Sequence, residues 1–171
     1  METWAALTSR RNVREFAPRP IPSQDLERIL EAGRRAPSSR NWQPWDFVVV
    51  TDQAQLRELS TVWRGGGHIA TSGATVALVL AEPDDDSTRL RAYYDLGQAT
   101  MAMMIVAADA GIGSGHSAVG DQDAARRILG LPEDRFTAFL IDFGYPADRG
   151  LSPIRKPDRR PFDEVVHWGR W

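Results

Sequence analysis

Apolar residues in this chain recur at two spacings, and together they predict short helices alternating with short strands. Leu26, Ile29, Leu30 and Gly33 return at helical intervals, so a helix spans Gln24 to about Arg35 with Ser23 as its N-cap. The runs Asp46–Thr51, Ala74–Ala81 and Phe136–Phe143 are continuous and β-rich, the pattern of buried strands. Asp52 with Gln55 reads as a capping box that opens a helix to about Trp63, with Leu56, Leu59, Val62 and Trp63 on one face and Gly65–Gly67 breaking it. Thr3 can cap a short helix through about Ser9, and Pro18, Pro20 and Pro22 keep the following segment extended. From about Thr88 to Ala110 the pattern is helical, rich in Ala and Met and apolar nearly all round beyond Leu96. Such a helix belongs in the middle of a domain or a dimer. A glycine turn over Gly111–Gly115 follows, and Asp121 then caps a helix that ends at Gly130. Helices interleaved with three strands predict an α+β or mixed α/β layer, and the sequence leaves the strand order open.

Size and composition narrow the classes of function. A chain of 171 residues, 42% hydrophobic and 26% charged, fits one folded domain, residues 1–171. A formal net charge of −2 disfavours nucleic acid as the main partner, because phosphate backbones select basic surfaces. Cysteine is absent, which excludes disulfides, thiolate nucleophiles and cysteine-ligated metals. His68, His116 and His167 lie far apart without a His-Glu-Xaa-Xaa-His helix, so no metal site is expected, and the Asp84–Asp86 triplet reads as solvated loop. No apolar leader or 18-residue apolar run occurs, so a soluble cytoplasmic protein without a membrane partner is expected. Trp168 and Trp171 on the proline-rich segment 151–171 suggest an arm that docks on something.

Several motifs fit only formally. Gly113-Xaa-Gly115-Xaa-Xaa-Ala118 matches a dinucleotide fingerprint but follows a helix rather than a strand. Asp142-Phe143-Gly144 stands without the other kinase signatures, and no nucleophile elbow frames Ser38 for a triad with His116. Two fragments have more chemical content. Arg10-Arg11-Asn12-Val13-Arg14 places three guanidiniums within five residues, and a guanidinium fork matches phosphate oxygens. Ala36-Pro37-Ser38-Ser39-Arg40-Asn41-Trp42-Gln43-Pro44-Trp45 offers hydroxyl and amide groups to the edge of a heterocycle. Trp42 and Trp63 can stack on a planar ligand or simply pack.

In this order, with a helix between them and a strand after, these fragments resemble the opening of the FMN-dependent nitroreductase family. Tyr93-Tyr94-Asp95-Leu96-Gly97-Gln98-Ala99-Thr100 leading to Gly111-Ile112-Gly113-Ser114-Gly115 is similar to its central helix and following loop. Leu129-Gly130-Leu131-Pro132, Phe143-Gly144-Tyr145-Pro146 and Arg159-Arg160-Pro161-Phe162-Asp163-Glu164-Val165-Val166 resemble its later segments, so the likeness covers nearly the whole chain. The resemblance implies an α+β fold with a mixed sheet flanked by helices, a long buried central helix and a C-terminal arm, 151–171, packed on the partner of a homodimer.

It also implies FMN as cofactor, NADH or NADPH as donor, and ping-pong hydride transfer to a small-molecule acceptor such as a nitroaromatic or quinone. No side chain is expected to act as a catalytic group, because the flavin carries the chemistry. By the same likeness Arg10, Arg11, Asn12 and Arg14 surround the FMN phosphate and ribityl chain. Pro37, Ser38, Ser39 and Asn41 contact the flavin, Ser114, Gly115 and His116 lay amides beside it, and Arg159 or Arg160 closes the phosphate site. Two departures stand out: Asn12 replaces a usual serine, and the chain is short for the helices that shape the family's substrate pocket. A different flavin reaction, a flavin-sequestering protein and a flavin-free interaction module are the alternatives.

Overall fold

The computed structural model describes all of residues 1–171. Its helices are α1 (Thr3–Ser9), α2 (Ser23–Arg34), α3 (Gln53–Leu59), α4 (Asp86–Asp109) and α5 (Gln122–Leu129), and its strands are β1 (Trp45–Val50), β2 (Ala74–Ala81), β3 (Gly113–Ser117) and β4 (Arg135–Gly144). The strands form one sheet in the order β1-β2-β4-β3, and every ladder is antiparallel. The α+β class is as expected. The parallel component is reduced to one isolated bridge, Asn12 to Ser114, outside the regular strands.

β2 is apolar at every position but Thr75 because both of its faces are covered. Val76, Leu78 and Leu80 face α2 and α4, packing with Ile29, Leu96, Met103 and Phe143. Ala77 and Val79 point the other way, onto Leu56 and Leu59 of α3, Ile69, and Ala125 of α5. Each large side chain so buried contributes about 1.5–3 kcal/mol. α4 runs the length of the molecule, and Asp85 starts it by accepting the Thr88 amide at 2.8 Å, so one member of the aspartate triplet is a helix cap. No helix is long and apolar enough to cross a membrane.

Several local expectations change. The Gly111–Gly115 segment is the end of a three-residue turn, 110–112, followed by a fourth strand: Gly111, at φ +72°, follows the end of α4, and Gly113–Ser117 pairs with β4. Its small residues hid it from an apolarity pattern. α3 ends at Leu59 rather than Trp63, because the Ser60 and Thr61 hydroxyls take the Arg57 and Glu58 carbonyls at 2.7 and 2.8 Å. The capping box is half formed: Asp52 accepts the Gln55 amide, while the Gln55 side chain reaches Ile128 O. Thr3 and Ser23 fall inside their helices, whose N-cap residues Glu2 and Pro22 make no side-chain cap bond.

β3 is the edge strand, and the chain after α1 lies across it. Val13 N donates to Ser114 O at 2.9 Å, Ala17 N to Tyr145 O at 2.8 Å and Ala147 N to Glu15 O at 2.9 Å. This close approach depends on Gly115, where an added Cβ would meet Val13 O at 2.6 Å, backbone that cannot swing away. Gly115→Ala is therefore expected to lift residues 12–16 from the sheet and lower stability by about 1–3 kcal/mol in chemical denaturation. An unchanged denaturation midpoint would show that the contact is slack.

Candidate active site

The overlay of residues 10–17 on the sheet edge sorts its side chains. Val13 and Phe16 are buried, while Asn12 and Arg14 stay at the surface. Asn12 Oδ1 accepts the His116 amide at 3.2 Å, so this side chain fixes the register against β3. Arg14 Nη1 meets His68 Nε2, in the short helical turn Gly66–Thr71. On the far side of the same imidazole, His68 Nδ1 lies 2.6 Å from Asp142 Oδ2, a close contact without the alignment of a full hydrogen bond. Asp142 is fully buried in β4, and its other oxygen accepts from Thr75 Oγ1 at 3.1 Å. Ser117 Oγ stands 3.3 Å from His68 Nε2.

Arg10 lines a largely apolar cavity of about 370 Å³ with His116 and, from α4, Tyr93, Leu96, Gly97 and Thr100. Burial first, then the nearby positive charge of Arg10, pushes the His116 pKa below its ordinary value, with Asp142 opposing and Arg14 reinforcing. The cluster's positive charge near neutral pH therefore rests on its arginines. Arg11 turns elsewhere, donating to Asp148 Oδ1 at 2.5 Å and Arg149 O at 3.0 Å, where it holds the chain leaving β4. Amide chemistry is displaced along the strand as well. Ser114 and Gly115 lie buried within β3, and the His116 amide is taken by Asn12, whereas the amides of Ala118 and Val119, just beyond it, donate to no protein acceptor.

The second predicted group gathers on a different surface. Pro37, Ser38 and Ser39 line a cavity of about 630 Å³ with Leu90, Arg91, Tyr94 and Gln98 of α4. At 3.6 residues per turn, the middle of this set lies about 120° round α4 from the middle of the set lining the arginine cavity. Arg40, Asn41 and Gln43 all take left-handed conformations, with φ of 53°, 57° and 53°. Strain of that kind persists only where the surroundings fix it. Here Asp95, buried in α4, accepts the Ser39 amide at 2.9 Å, and Ser38 Oγ accepts the Gln43 amide at 2.8 Å. Arg159 and Arg160 reach neither group within the chain; they bond Asp158 O and Glu164. The arm around them is exposed, with Phe162, Trp168 and Trp171 at 70%, 84% and 99%.

Reasoning from sequence missed His68, Asp142, Ser117 and Asp95 as parts of these groups. One signal was available: Asp142 is a carboxylate within an otherwise apolar strand, and a buried charge needs a partner. Asp95→Ala is expected to leave the Ser39 amide unpaired and free the strained loop. Limited proteolysis should then cut near Arg40 well before the wild type is touched, and equal cleavage rates would place the loop's restraint elsewhere.

The profile of the nitroreductase family matches residues 7–71 and 63–145. An NADH dehydrogenase of Thermus thermophilus is 30% identical over 98% of this chain and 96% of its own length. Among solved structures, an FMN-dependent nitroreductase from Clostridium difficile superposes with a TM-score of 0.84 at 21% identity, covering 97% of this chain and 98% of that one. NADPH:FMN oxidoreductase from Vibrio harveyi, complexed with NAD+, gives 0.85 at 23% identity, covering 97% and 76%. The profile spans most of the chain and the Thermus relative matches it nearly end to end, so this protein belongs to the nitroreductase family.

Proposed function

We propose that this chain is an FMN-dependent oxidoreductase that takes electrons from NADH or NADPH and passes them to a small-molecule acceptor such as a nitroaromatic or quinone. The observation that carries the reading is the grouping of Arg10 and Arg14 at the sheet edge, with the nearest carboxylate, Asp142, buried behind His68. Such a site has net positive charge and forked donors, which suits a phosphate. The fit extends to Arg10 Nε, a buried donor with no partner in the chain, and to the free amides of Ala118 and Val119 beside the cluster.

In this reading Arg10 and Arg14 bind the FMN phosphate and the polar chain next to it. Arg11 acts indirectly, holding the 148–149 turn in place behind them. Asn12 keeps the arginine segment in register with β3. Pro37, Ser38, Ser39 and Asn41 hydrogen-bond and cover the flavin of the partner subunit, because their cavity lies on the other face of α4. The exposed arm packs on that partner and delivers Arg159 or Arg160 to its phosphate site, covering tryptophans that are costly to leave in water. When bound, FMN supplies two-electron transfer between a nicotinamide and an acceptor, so the chain needs no nucleophile of its own.

The purified protein should show flavin absorption near ~450 nm that bleaches when NADH or NADPH is added without oxygen and returns when an acceptor is supplied. Absorption that persists would mark a flavin binder without this activity, and none even after FMN is supplied would exclude the reading. In fluorescence titrations Arg10→Ala and Arg14→Ala should each weaken FMN binding by about 1–3 kcal/mol, the scale of a lost charge-assisted bond. Arg11→Ala should cost less affinity and show itself mainly as a lower melting temperature. Equal losses for all three would return Arg11 to the phosphate shell.

A further inference from the structure

We propose that His68 is the positioning residue for Arg14: a neutral imidazole, oriented by buried Asp142, whose Nε2 lone pair holds one end of the guanidinium toward the anion site. The inference rests on the FMN reading for its functional consequence, and on bonding rules for its geometry. A guanidinium has only donors, so the Arg14 Nη1 contact requires an acceptor at Nε2. The proton of the ring must then sit on Nδ1, which is the nitrogen 2.6 Å from the Asp142 carboxylate. Asp142 is fixed in turn by its cross-strand neighbour Thr75, whose hydroxyl bonds it at 3.1 Å and meets Ser72 Oγ at 3.1 Å. Gly115 pairs with Asp142 on the other neighbouring strand, where a Cβ would come within 3.3 Å of Oδ2. The arrangement keeps the cluster's one carboxylate behind a neutral ring, so that it orients Arg14 without cancelling its charge.

Ser117, His68 and Asp142 occur in the order of a hydrolytic triad, and the geometry argues against that use. Ser117 is buried at 1% exposure, and Nε2, which would have to accept its proton, is already engaged by Arg14.

A proton on Nε2 would convert the acceptor into a donor and add charge next to Arg14. The charged groups in contact with the ring are Asp142 of β4 and Arg14 of the N-terminal segment, with the Ser117 hydroxyl of β3 beside Nε2. Acidification should therefore release Arg14 and weaken anion binding through His68 specifically.

Two measurements test this. The first is nitrogen-15 NMR of the imidazoles in the flavin-free protein, which has only three histidines, with His68→Gln used to assign the signal. The Nδ1–H tautomer is expected for His68 at neutral pH; the Nε2–H tautomer or a protonated ring would overturn the proposal. The second is FMN titration from neutral pH down to about pH 5, the span in which imidazoles take up a proton. Wild type should lose about tenfold more affinity over that span than His68→Gln, whose amide oxygen still accepts from Arg14 and does not titrate. His68→Phe should bind weakly throughout. His116 and the ligand phosphate titrate alike in wild type and His68→Gln, so the difference between those two isolates His68. Parallel pH profiles for wild type and His68→Gln, or equal affinity for the Gln and Phe variants, would contradict it. If FMN fails to bind even the wild type, the cofactor reading falls while the NMR result still decides the tautomer.

Discussion

Three backbone hydrogen bonds, from Val13 to Ser114, from Ala17 to Tyr145 and from Ala147 to Glu15, fasten the N-terminal segment to the end of the sheet, and the site depends on them. They convert a sequence with three guanidiniums in five residues, which in a free chain would repel one another and point into water, into an ordered surface. Val13 and Phe16 face the core, so the residues between them are directed outward. The bare backbone of Gly115 sets how near the segment can come, and that nearness brings Arg14 within reach of His68. Packing, register and charge placement are thus one constraint.

α4 is the second organising element, and its importance lies in having two working sides. One side meets the arginine cavity through Tyr93, Leu96 and Thr100; the other supports the strained Pro37–Gln43 loop through Asp95. Burying Asp95 carries a desolvation cost that its hydrogen bonds to Ser39 and Gln98 offset, and the loop conformation is what that expenditure secures. One chain therefore presents two candidate surfaces on different sides of α4, along with an arm whose Phe162, Trp168 and Trp171 are exposed. Under the proposed function, a second copy of the chain would cover the arm and complete the site.

Much of this was legible in the sequence, for identifiable reasons. β2 and α4 announced themselves because continuous burial requires continuous apolarity, and Asp121 with Gly130 bracketed α5 because caps obey local rules. β3 escaped because Gly-Ser-Gly-His-Ser is chosen for closeness to another backbone, which leaves no hydrophobic trace. The arginine motif singled out one segment, yet local sequence could not separate Arg11 from Arg10 and Arg14. Their divergence depends on Asp148, 137 residues away. His68 and Asp142 were invisible as a pair for the same reason: their contact is made by the fold, across elements that share no motif.

The claim that each flavin site is divided between two chains can be tested in a mixed dimer. One chain would carry Arg10→Ala with Arg14→Ala, the other Ser38→Ala with Asn41→Ala, and distinct affinity tags would allow the mixed species to be isolated for FMN titration. Division across the subunits concentrates all four lesions in one site and leaves the other whole, so one FMN per dimer should bind with wild-type affinity. If each chain builds its own site, both sites are damaged and no FMN binds at that strength; that outcome would contradict the account.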